Sequence, residues 1–93
     1  MNQITKNTAS AVRELRDVWE ILFPNVAAPD HGQWSLWLLR HDADVVRYGI
    51  AQLGVKYRRL KGEMDALWMA KYASAAMNRQ TNARNEHHTQ GTA

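Results

Sequence analysis

The sequence predicts an all-α protein: a small four-helix bundle with one short central helix, followed by a disordered polar C-terminal tail. Apolar residues recur at helical spacing in four separate segments, the pattern of helices that each turn one face inward. Pro24, Asp30, Asp42 and Gly62 fall between those segments, and all are residue types that stop, cap or turn helices. Residues 80–93 have almost no apolar content. A chain of 93 residues has room for one hydrophobic core, which gives a helical domain over residues 1–79 and a tail over 80–93.

The first helix is predicted from Thr8 or Ser10 to about Phe23, with Val12, Leu15, Trp19 and Leu22 on one stripe and Pro24 ending it. Asp30, with Gln33 three residues on, heads a second helix as an Asp variant of the capping box. That helix packs Trp34, Leu36, Trp37, Leu38 and Leu39 into six residues and ends near Arg40, so it is expected to be the central one. Asp42 and Asp44 are two N-cap candidates for a third helix, on which Val46, Ile50, Leu53, Tyr57 and Leu60 follow at spacings of 4, 3, 4 and 3. Gly49 and Gly54 inside it each cost about 1 kcal/mol relative to Ala, which implies a close helix crossing or ligand approach at one of them. Gly62 marks the next turn. The fourth helix is predicted from Glu63 to about Arg79, with Met64, Leu67, Trp68, Tyr72, Ala75 and Ala76 inward.

Composition narrows the function. The chain has no cysteine, which removes disulfides, thiolate metal sites and thiol nucleophiles and fits a cytoplasmic location. The N-terminal ten residues are polar and the longest apolar run, Leu36–Leu39, is far short of the ~20 residues of a membrane span, so no leader or membrane partner is expected. Twelve Lys and Arg against nine Asp and Glu give a net charge of +3, which favours an acidic or phosphate-bearing partner.

No Gly-rich phosphate loop, nucleophile elbow or Ser/His/Asp order occurs, so the expected role is binding without catalysis and no cofactor is called for. His31 and His41 flank the second helix while His87 and His88 lie in the tail, a spacing that supplies no zinc site. Asp42 and Asp44 read as helix-start residues in preference to an acid/base pair.

The strongest candidate surface is cationic. Arg47 and Arg58 lie about 20° apart on one helical face, with Ala51 and Gly54 between them and Lys61 at the edge. Lys56 and Arg59 extend the basic segment. Arg forks pair bidentately with phosphate and carboxylate, so Arg47, Lys56, Arg58, Arg59 and Lys61 are the candidates for binding nucleic acid or an acidic protein. Trp34, Trp37 and Trp68 are candidates for a protein interface, with core packing as the competing reading. The acidic start of the third helix disfavours a DNA-reading helix-turn-helix.

Trp34-x-x-Trp37-Leu38-x-x-His41, Val46-x-x-Gly49-Ile50, Met64 and Tyr72-Ala73-Ser74-x-x-Met77-Asn78 together resemble the helical N-terminal domain of phage replicative-helicase loaders. The resemblance covers about residues 19 to 79 and implies a role in DNA replication through contact with the replicative helicase or with DNA. Such loaders carry further chain where this one has a short polar tail, which leaves an accessory or inhibitory role open. The alternatives are a protein-only adaptor or inhibitor of a host or defence enzyme, and a homodimer whose shared core adds to the modest burial of a small domain.

Overall fold

The computed structural model describes the backbone of residues 2–92 and the side chains of residues 8–85. Four helices follow in order, α1 (Asn2–Leu22), α2 (His31–Arg40), α3 (Ala43–Arg59) and α4 (Ala66–Thr92), with no strand among the described residues. The all-α bundle read from the periodicity is therefore the fold. No helix is long and apolar enough to cross a membrane among the described residues.

Helix ends follow the local chemistry with two exceptions. The Asp30 carboxylate accepts from the Gln33 backbone N–H at 2.9 Å, so α2 starts where its cap predicted. Asp42 occupies the N-cap position of α3, where its carbonyl accepts from the Val45 and Val46 N–H groups, yet its side chain makes no cap bond. α3 ends in a left-handed turn, with Lys61 at φ 56° and Gly62 at φ 79° and the Gly62 N–H returning to the Tyr57 carbonyl. α4 starts three residues later than predicted, because Asp65 is its cap and accepts from the Trp68 N–H at 2.7 Å. The exceptions are the outer ends. α1 begins at Asn2, not at Thr8 or Ser10, and α4 runs past Arg79 to Thr92. No proline interrupts either stretch, and extending a helix already nucleated is cheap. The side chains of residues 86–93, including His87 and His88, lie outside the described residues.

The largest helix–helix interface is between α3 and α4. They are antiparallel, since Gly49 of α3 lies against Ala73 and Met77 of α4 while Asp44 meets Arg84. A Cβ placed on Gly49 would stand 2.5 Å from Met77 Cγ and 3.0 Å from the Ala73 carbonyl oxygen. Gly49 is thus the close crossing that its place in the helix predicted.

Val46, Ile50 and Leu53 from α3 and Met69, Ala73 and Met77 from α4 are all fully buried at this interface and in the adjoining core. α1 adds Val12, Leu15 and Trp19. An aromatic chain links the elements: Tyr57 meets Phe23 at 5.0 Å, Phe23 meets Trp19 at 4.6 Å, Trp19 meets Trp34 at 6.2 Å, and Trp34 meets Trp37 at 5.2 Å. Tilted and edge contacts of this kind are the favoured geometry of ring pairs.

Two expectations about faces are corrected. α2 is not the central helix: it buries Trp34 and Trp37, but Leu36 and Leu39 on its other side are 41% and 82% exposed. The face of α4 is also rotated, with Leu67, Trp68 and Ala75 exposed and Met69, Ala73, Ala76 and Met77 inward. Apolar residues run without a break from Ala66 to Ala70, so spacing alone admits more than one inward face. The close approach of Ala73 and Met77 to Gly49 decides it.

Gly49 and Gly54 predict opposite responses to the same substitution. At Gly54 a new Cβ would stand 3.4 Å from Leu22 Cδ1, an ordinary contact, so Gly54→Ala should raise stability by about 0.5–1 kcal/mol. Gly49→Ala should lower it by about 1–3 kcal/mol, because Met77 Cγ and the Ala73 carbonyl oxygen block the space. Thermal denaturation of the two variants checks this, and a Gly49→Ala protein as stable as the parent would refute the close crossing.

Candidate nucleic-acid interface

The cations of the basic segment sit on α3 and the turn after it, and at 100° per residue they divide between two sides of the helix. Arg47 and Arg58 share the flank next to α1, as predicted. Lys56 and Arg59 fall on the opposite side of the outer surface, Lys56 about 160° from Arg58. They do not extend the Arg47–Arg58 stripe, and its small-residue floor is partly closed. Leu22 of α1 covers Gly54, and Arg47 is paired with Glu14 of α1 at 3.5 Å. Both partners of that pair are more than half exposed, so it is a weak surface tie.

Arg58, Arg59 and Lys61 are exposed, Lys56 is half-buried, and none of the four has an acidic partner among the described residues. Arg58 and Lys61, together with Leu22, Gly54, Tyr57 and Gly62, line a shallow pocket at the seam between α1 and the end of α3. The concentration of cations therefore lies at the C-terminal end of α3, with Arg47 remote from it and already engaged. From Val45 to Arg59 and from Ala66 to Asn85 the two helices contain no carboxylate. Glu63 and Asp65 in the turn are the acidic residues nearest in sequence, and Asp65 is occupied as the α4 cap.

The tryptophan candidates separate as clearly. Trp34 and Trp37 are 0% and 2% exposed, which corrects their assignment to a protein interface. Their indole N–H groups are also spent inside: Trp34 donates to the Pro29 carbonyl at 2.9 Å and Trp37 to Ser74 Oγ at 2.8 Å. Trp19 donates to the Val26 carbonyl at 3.0 Å, so two tryptophans pin the loop between α1 and α2. Trp68 differs from all three. It is 51% exposed on the first turn of α4, beside the turn that carries Lys61.

A second polar cluster was not legible in the sequence. Arg84 bonds Asp44 at 2.7 Å and stands 3.7 Å from Asp42, while His41 Nδ1 lies 2.6 Å from Thr81 Oγ1. The Arg84 hydrogen bond holds the Asp44 carboxyl below its ordinary value. These contacts span about forty residues and fall where the sequence offered only a polar tail; the absence of proline and glycine from Gln80 to Gln90 was the one available signal. The cluster fastens α4 to the start of α3. No group of three metal-ligating side chains occurs among the described residues. No family model, curated protein or solved structure matches the chain.

His41 gives this cluster a pH signature. Burial, and secondarily Arg40, push its imidazole below the ordinary 6.5, with a hydrogen bond from the ring to the Asn78 side chain opposing in part. The unfolded chain then binds the proton more readily, so the stability His41 contributes is present above its unfolded value and is lost as pH falls through the lowered folded one. Melting temperature should drop from about pH 7 to about pH 5, and His41→Gln should flatten that part of the profile. An identical slope in the variant would remove His41 as its source.

Proposed function

We propose that the protein is a non-catalytic binding module that engages the phosphate backbone of nucleic acid through the C-terminal end of α3. The observation that carries this reading is the set Lys56, Arg58, Arg59 and Lys61, unpaired with any carboxylate among the described residues and placed at one end of two helices whose outer surfaces are free of acid from Val45 to Arg59 and from Ala66 to Asn85. An arrangement without internal counter-charges leaves the guanidinium forks available to phosphate, and the counterions released on binding supply affinity. The role in DNA replication implied by the resemblance to helicase loaders is compatible with such a surface, and contact with a replicative helicase is part of this proposal.

A protein-only adaptor or inhibitor is the second reading. It is favoured by the outer side of α2, where Leu36 and Leu39 are exposed, and no longer by Trp34 and Trp37. This face can equally serve a homodimer.

Fluorescence anisotropy of labelled oligonucleotides across a salt series tests the first reading. The Arg58→Glu/Arg59→Glu double variant should weaken binding by at least about tenfold and lower the salt slope by about two. Arg47→Gln should do less, since Arg47 lies about three helical turns before Arg58 and away from the other cations. Affinity unchanged in the double variant would take nucleic acid off the list and leave the α2 surface as the alternative.

A further inference from the structure

Three of the four tryptophans are inside the bundle with their indole nitrogens bonded, and one is not. An indole half in water on the first turn of a helix contributes little to the core and exposes apolar area that a partner can cover. Its surroundings say which partner. α3 and α4 are antiparallel with Gly49 level with Ala73 and Met77, so moving seven residues along each helix sets Lys56 level with residues 66–70. Trp68 therefore stands at the same end of the bundle as Lys56, Arg59 and Lys61. On α4 itself, Lys71 and Tyr72 lie three and four residues on, and Arg79 eleven, all on the Trp68 side of the helix. The turn contributes Glu63 and Asp65, the latter engaged with the Trp68 N–H.

From this juxtaposition we infer that the nucleic acid bound here is single-stranded, with an unpaired base stacked on the Trp68 indole and the backbone running over Lys56, Arg59 and Lys61. The inference rests on the nucleic-acid reading above and adds the form of the strand and the residue that selects it. A duplex keeps its bases stacked on one another and can offer only phosphates to this surface. A single strand offers π-faces as well, and an aromatic ring beside a cationic track is the arrangement that uses both. An acidic protein matches the charge but gives no reason for an exposed indole at the cationic end of the bundle.

The test is titration of the full chain with an oligo-dT, an oligo-rU and a DNA duplex of equal length, followed by anisotropy and by tryptophan fluorescence. The single strands should bind more tightly than the duplex and quench the emission. Trp68→Ala should weaken single-strand binding roughly five- to a hundredfold and leave duplex binding unchanged, while Trp68→Phe retains most of the affinity. Trp68→Lys adds a cation but removes the ring, so it too should weaken single-strand binding; circular dichroism establishes that each variant is folded. Equal binding of single strand and duplex, or full affinity in Trp68→Ala or Trp68→Lys, overturns the stacking inference and leaves the backbone reading intact. Binding to none of the three oligonucleotides overturns both.

Discussion

Two helices can approach to backbone contact only where one of them has no side chain in the way, and in this protein that place is Gly49. The missing Cβ lets α3 lie against the Ala73 carbonyl and the Met77 side chain, and the antiparallel register of α3 with α4 follows from that contact. Much else depends on the register. It brings Asp44 to Arg84 at one end of the pair and sets Trp68 level with Lys56 at the other. It also selects the buried face of α4, because Ala73 and Met77, the residues that meet Gly49, must be turned inward for the backbones to close. Leu67 and Trp68 are consequently left outside although they are the larger hydrophobes.

The other two helices are attached by aromatic contacts. The ring chain from Tyr57 through Phe23, Trp19 and Trp34 to Trp37 passes from α3 through the end of α1 to α2, and each buried indole also satisfies its N–H within the protein. Burial of an indole without a partner for its nitrogen carries the cost of an unmade hydrogen bond. Here two of the three acceptors are loop carbonyls, so the same rings that fill the core hold the loop between α1 and α2. The described residues contain no buried side-chain nitrogen or oxygen without a partner. A core satisfied to this degree makes the exposure of Trp68 stand out as a property of the surface.

Charge is distributed with the same asymmetry. α1 mixes Arg13, Arg16, Glu14, Asp17 and Glu20 on its outer side, whereas α3 carries no acid beyond Asp44 and α4 none from Ala66 to Asn85. Glu14 reaches across to Arg47, and Asp42 and Asp44 hold Arg84, so carboxylates occupy the cations at one end of α3 and leave those at its other end uncompensated. A modest net charge of +3 thereby becomes a local concentration of positive potential.

The helical class, the cap at Asp30, the turn at Gly62 and the presence of a close crossing in the third helix can all be read from local sequence. Each of these is written in a few neighbouring residues: a capping side chain, a glycine at positive φ, a regular spacing of apolar positions. Local sequence also marks the cations of the proposed interface, since the order Lys56 to Lys61 is local. Packing between distant segments settles which side of α4 is buried, that Trp34 and Trp37 belong to the core and Trp68 does not, and that Arg47 is paired with Glu14 while Arg58 has no such partner among the described residues. Those outcomes depend on which residues of distant segments meet. A continuous apolar run such as Ala66–Ala70 carries no orientation until a neighbouring helix, brought close by a glycine seventeen residues earlier, fixes one.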